Sequence, residues 1–92
     1  MTPAELRAAI PALDETIYLN TGASSPSPLP VVEATEEFFE YHEYRSPASE
    51  GMYPAAFRAY DETRAAVADF VGADADEIAL TQSTTDAVNR VA

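Results

Sequence analysis

Ser83-Thr84-Thr85 is the stretch of this 92-residue chain whose residue types and spacing are best suited to chemistry. The hydroxyls stand where a short apolar run, Ile78-Ala79-Leu80, gives way to helical spacing at Val88, Val91 and Ala92, so the period changes from strand-like to helix-like within a few residues. Ser83 is a good N-cap, and Asp86 three residues later makes an aspartate version of the capping box, which predicts a helix starting at Thr84. The first turn of a helix leaves backbone N–H groups without intrahelical acceptors and carries about half a positive elementary charge. Main chain and hydroxyls together can therefore hold an anion such as a phosphate. The same residues also serve as an ordinary cap, and the local pattern does not choose between the two.

Other reactive side chains are sparse. The chain has no cysteine, which excludes a disulfide framework and thiolate metal sites, and its single histidine, His42, has no sequence-adjacent partner for acid–base work. His42 is read as a favourable residue near a helix C-terminus. Glu33, Glu36, Glu37, Glu40 and Glu43 form an acidic run on a predicted helix and are read as a solvated face, so no metal ligand is assigned.

Charge narrows the partners. Sixteen acids against five bases give a formal net charge of −11, every base is an arginine, and there is no lysine. That sign of charge repels nucleic acid and anionic membrane surfaces, so neither is expected as a partner. An acidic, lysine-free surface suits high salt, where self-repulsion is screened, and a halophilic origin is expected, with chance lysine depletion in a GC-rich gene as the alternative. No basic n-region with an apolar block opens the chain, no apolar stretch reaches membrane-span length, and a cytoplasmic protein is expected.

The elements that must position the hydroxyl turn follow from periodicity and punctuation. Thr2-Pro3-Ala4-Glu5 is a helix-start signature, and the short helix it opens runs to about Ile10, where Pro11 ends it; the start looks genuine. Ile17-Tyr18-Leu19 is a short extended run, and Asn20 to Pro28 is rich in turn formers, either an ordered loop or a flexible linker. Val31, Ala34, Phe38 and Tyr41 recur at helical spacing and predict an amphipathic helix from Val31 to about Tyr44. A second irregular segment, Arg45 to Tyr53, precedes a helix opened by Pro54 and stopped by Gly72, in which Phe57, Tyr60, Arg64, Val67 and Val71 lie on one stripe read as core. Asp74 to Glu77 is an acidic turn, and Ile78-Ala79-Leu80 is the best strand candidate. Nothing stops the helix begun at Thr84, and one strand cannot satisfy its ladder groups, so the chain is expected to be cut off at its C-terminus, with more sheet to follow. The division expected is 1–28 for the first helix and extended arm, 29–72 for the two amphipathic helices, and 73–92 for the start of a larger domain.

Read together, Ile17 to Ala23, Arg64 to Ala73 and Glu77 to Ala92 resemble the N-terminal portion of class V aminotransferase-fold enzymes, a group that includes cysteine desulfurases and related pyridoxal-phosphate transferases and lyases. The resemblance covers nearly the whole chain, in order and at plausible spacing. It implies an α/β fold of type I, with this chain contributing helices, an extended arm, the first strand and the phosphate-binding helix of the large domain. It implies pyridoxal 5'-phosphate as cofactor, an amino acid as substrate, and a homodimer at full length. In the family the turn matching Ser83-Thr84-Thr85 holds the cofactor phosphate, which makes Thr85 the first choice for a side-chain ligand and Thr84 the second. The arm matching Asn20-Thr21-Gly22-Ala23 lies near the substrate carboxylate in relatives, which marks Asn20, Gly22 and Ala23 for substrate binding. Two departures stand out. Ser83 replaces a glycine found in many relatives and fits only where positive φ is not needed. Ser46 to Pro54 lacks the basic, histidine-containing sequence of many cysteine desulfurases. The family also carries its cofactor on a lysine, which this chain lacks, so no catalytic residue is assigned and the chain alone is expected to be inert. The competing expectation is a free-standing acidic helical module that binds a basic partner, with the hydroxyl turn a simple cap.

Overall fold

The computed structural model describes every residue from Met1 to Ala92. The chain divides into two compact units, Met1–Arg45 and Ser46–Ala92. Five α-helices are joined by tighter and wider single turns: α1 (Pro3–Ala8), α2 (Ala12–Glu15), α3 (Leu29–Glu40), α4 (Met52–Val71) and α5 (Thr84–Val91). No helix is long and apolar enough to cross a membrane.

In the first unit, α1 starts where its residue types dictate. The Thr2 hydroxyl accepts from the Glu5 amide at 3.2 Å, and the Glu5 carboxylate accepts from the Thr2 amide at 2.6 Å, a reciprocal pair that satisfies two otherwise orphaned donors. Pro11 ends α1 as expected, yet its φ of −56° is itself helical, so the chain re-enters a helical turn at once and forms α2, which periodicity did not predict. Arg7 ties the two turns by donating to the Leu13 carbonyl at 2.8 Å. The Leu29 amide donates to the Ala9 carbonyl at 2.7 Å, bringing the start of α3 back to the end of α1. Beyond Glu40 the helix widens into a π turn, Tyr41–Arg45. There Arg45 lies over the Tyr41 ring at 5.4 Å, and the Phe38 and His42 rings are 5.7 Å apart. His42 sits near the end of its helix as expected, with Nδ1 2.9 Å from the Glu43 carboxylate.

The second unit opens with a 3₁₀ turn, Ser46–Ala48, in which Ser46 is fully buried. The Gly51 amide donates to the Ser46 carbonyl at 2.7 Å, and Gly51 then takes φ 95°, ψ 155° to launch α4. That helix begins at Met52, two residues before Pro54. It ends as its sequence dictates, with Gly72 left-handed at φ 72°. Arg58 bridges Glu62, four residues on, at 3.2 Å, and Glu50, eight residues back, at 2.8 Å. The acidic turn after Gly72 is a 3₁₀ helix, Ala75–Glu77, closed by a capping box between Asp74 and Glu77.

Two expectations are corrected. The strand at Ile78-Ala79-Leu80 is absent: Ile78 has extended geometry, φ −104° and ψ 123°, but no second strand runs beside it to form a ladder, so this chain is helical where an α/β arrangement was expected. The stripe on α4 is not core either. Phe57 is 64% exposed and Val71 58%, and the buried residues of the unit are Ala55, Ala68 and Ser46. The spacing makes the stripe, but no neighbouring element covers it.

Candidate anion-binding site

Ser83 caps α5 as its residue type predicts. Its hydroxyl accepts from the Asp86 amide at 3.2 Å, and its carbonyl accepts from Ala87 at 3.0 Å. Its backbone is fully extended, φ −166° and ψ 169°, so the position does not need glycine and the serine carries no strain. Asp86 departs from the expected capping box. Its carboxylate reaches past Ser83 and accepts from the Gln82 amide at 3.1 Å, one residue earlier. The other carboxylate oxygen accepts from Arg90 at 2.9 Å, so the negative charge in the first turn is offset by a cation one turn on.

What remains at the turn is a set of donors. The amides of Ser83, Thr84 and Thr85 have no acceptor within the chain, and neither threonine hydroxyl has a partner. Both threonines are exposed. Two amides in the first helical turn, the positive end of the helix dipole and two unengaged hydroxyls make a donor set suited to a phosphate. Upstream, the extended run is tied to the rest of its unit by Arg64, whose Nε donates to the Ile78 carbonyl at 3.1 Å while Nη1 meets Asp61 at 2.8 Å. The sequence reading placed Arg64 in the apolar stripe of α4; a lone charge in such a stripe is the signal that it reaches for a polar partner.

The second group of candidate residues lies in the first unit. Asn20, Gly22 and Ala23 are brought together in one tight turn, where the Asn20 carbonyl accepts from Ala23 at 3.0 Å and Ser24 at 3.2 Å. Tyr18 fastens the turn by donating its hydroxyl to the Ser24 carbonyl at 2.6 Å. The segment is thus an ordered turn, and sequence reasoning missed Tyr18 as its fastener. The Ala23 amide is spent inside the turn, whereas the Gly22 amide has no acceptor. A Cβ on Gly22 would meet nothing within 4 Å, so the turn is open on that side.

These two turns lie within the span that comparison with known proteins singles out. The class-V aminotransferase family matches residues 17–92, and the chain belongs to that family. The chain is 40% identical over 93 residues to a probable cysteine desulfurase of Pyrococcus abyssi, with 98% of this chain and 23% of the relative aligned. It is 39% identical to a probable cysteine desulfurase of Methanothermobacter thermautotrophicus, over 100% of this chain and 23% of that protein. It is 37% identical to the cysteine desulfurase CsdA of Escherichia coli, over 98% of this chain and 23% of that protein. The chain therefore spans about a quarter of the length of the curated relatives it matches. No solved structure matches it.

Proposed function

We propose that this chain supplies the phosphate-holding turn and the substrate arm of a pyridoxal 5'-phosphate enzyme of the class-V type that acts on an amino acid. The observation that carries the reading is the unengaged donor set at Ser83, Thr84 and Thr85, which lies inside the family match. The residues fit one end of the cofactor. The amides of Thr84 and Thr85 and the hydroxyl of Thr85, then that of Thr84, would hold its phosphate, with Ser83 and Asp86 shaping the turn beneath. The other end has no anchor here, because the chain contains no lysine. When bound, the cofactor supplies an electron sink for carbanion chemistry at the substrate. The arm's part is orientation: the Gly22 amide offers a hydrogen bond to a substrate carboxylate, and Asn20 and Ala23, whose backbone groups close the turn, hold it in place. The names carried by the relatives favour sulfur removal from cysteine over transamination, even though Ser46 to Pro54 departs from the basic sequence of many desulfurases. A cytoplasmic homodimer with an acidic surface adapted to salt completes the reading.

The test is spectroscopic and uses two samples. The product of the complete reading frame, mixed with pyridoxal 5'-phosphate, is expected to give a visible absorption band that changes when cysteine is added. The 92-residue chain alone should give no substrate-responsive band, and its appearance there would falsify the assignment of this chain as an anchorless part of the site.

A further inference from the structure

The run from Ile78 to Gln82 carries the hydroxyl turn but has no ladder to hold it. Along the run and α5, every hydrogen bond except one is local: Ile78 to Ala75, Gln82 to Asp86, Thr81 to Ser83, and the bonds of α5 itself. The exception is the Arg64 bond to the Ile78 carbonyl, which spans fourteen residues and joins the body of α4 to everything beyond residue 77. The Arg64 side chain is 33% exposed, and Asp61, one turn back on α4, fixes the fork by taking Nη1 at 2.8 Å. A guanidinium makes these two bonds from separate nitrogens held in a rigid plane, whereas an ammonium has all three of its donors on one atom and does not reproduce that spacing.

We propose that Arg64 is a positioning residue for the phosphate turn: its Nε–H bond to the Ile78 carbonyl fixes where the run 78–82, and with it Ser83-Thr84-Thr85, stands against α4. The inference rests on the phosphate reading above. A helix N-terminus binds an anion well only when its free amides are held in register, so loss of the tie should weaken phosphate binding without touching a ligand.

The experiment compares Arg64→Met, Arg64→Lys and Asp61→Asn in the product of the complete reading frame. The readouts are amide hydrogen exchange along residues 78–85 without cofactor, and the affinities for pyridoxal 5'-phosphate and for pyridoxal, which lacks the phosphate. Arg64→Met should speed exchange of the Ile78 and Gln82 amides, the two amides of the run that have acceptors, about tenfold relative to the middle of α4. It should weaken pyridoxal 5'-phosphate about fivefold while leaving pyridoxal unchanged, an effect of the size expected for one charge-assisted bond acting at a distance. Arg64→Lys should recover only part of the loss, and Asp61→Asn, which keeps the Nε donor, should stay close to wild type. If Arg64→Met does not fold, Arg64→Lys carries the same comparison. A variant that keeps the wild-type preference for the phosphorylated compound, or whose exchange along 78–85 is unchanged, overturns the role of Arg64. A wild-type protein that holds the two compounds equally overturns the phosphate reading itself.

Discussion

At the scale of single residues, the hydroxyls around α5 divide into one that shapes the turn and two that are left unengaged. Ser83 spends its hydroxyl on the Asp86 amide, so Ser83→Ala should cost about 1 kcal/mol of stability through the lost cap, and Ser83→Gly only a few tenths. Urea unfolding of the complete gene product measures both, and a larger loss for glycine than for alanine would show that the cap is not what the serine contributes. Thr84 and Thr85 have unspent hydroxyls, so Thr85→Val should leave stability nearly unchanged and weaken pyridoxal 5'-phosphate about tenfold, with a smaller loss for Thr84→Val. Titration with the cofactor ranks the two, and equal affinity in both variants would leave phosphate binding to the amides. At α1, the Thr2 amide and then the Thr2 hydroxyl hold the Glu5 carboxyl below the usual carboxylate range. A depressed value favours the folded turn above the ordinary carboxylate pKa, and the benefit disappears as pH falls through the lowered one. Following the Glu5 side-chain resonance through an acid titration should show that lowered midpoint, and Thr2→Ala, which removes the hydroxyl but keeps the backbone amide, should raise it only part of the way. Much of the α5 turn was legible because a cap, a first turn and a hydroxyl are local facts. Asp86 reaching Gln82, Arg64 reaching Ile78 and Tyr18 reaching Ser24 were not, because each depends on how the backbone bends between the partners.

At the scale of elements, two glycines mark where the second unit needs a backbone that other residues resist. Gly72 ends α4 in the left-handed region, so Gly72→Ala should cost about 1 kcal/mol. Gly51 has φ 95° and ψ 155°, a combination open to little but glycine, and a Cβ there would stand 3.4 Å from the Pro54 ring. Gly51→Ala should cost about 2 kcal/mol, the larger of the two penalties. Unfolding midpoints of the two variants test the order, and a reversal would mean that the turn before α4 relaxes more easily than its geometry suggests. Helix starts at Thr2 and Ser83 and the stop at Gly72 could be read from sequence because caps and left-handed stops depend on a few adjacent residues. The strand at Ile78 could not, since a strand exists only with a neighbour to pair with. Nor could α2, where Pro11 continues in helical geometry, or the widening of the last turn of the α3 segment into a π turn that ends near the expected Tyr44.

At the scale of the whole molecule, the surface decides what the chain can do alone. Its accessible surface is 7561 Å². A compact protein of 9.9 kDa exposes about 5,200 Å², and even two separate compact bodies of half that mass would expose about 6,300 Å². No residue of the first unit is buried, and the second buries two alanines and a serine. Ordering a residue costs about 1–2 kcal/mol of backbone entropy, and without buried side chains little hydrophobic gain offsets it. Apolar side chains stand open across the chain: Ile17 and Leu19 beside the arm, and, among those that periodicity marks for one face, Val31 on α3 and Phe57, Tyr60 and Val71 on α4, are each more than half exposed. The 92-residue chain on its own should therefore unfold in urea with a shallow slope and bind a hydrophobic dye in dilute buffer. Added salt should raise its helicity by screening a net charge of −11. The complete gene product should unfold steeply and leave the dye unbound. A steep, dye-free transition from the isolated chain would show that its exposed apolar faces find each other in solution, and would restore the reading in which these helices stand as a module of their own.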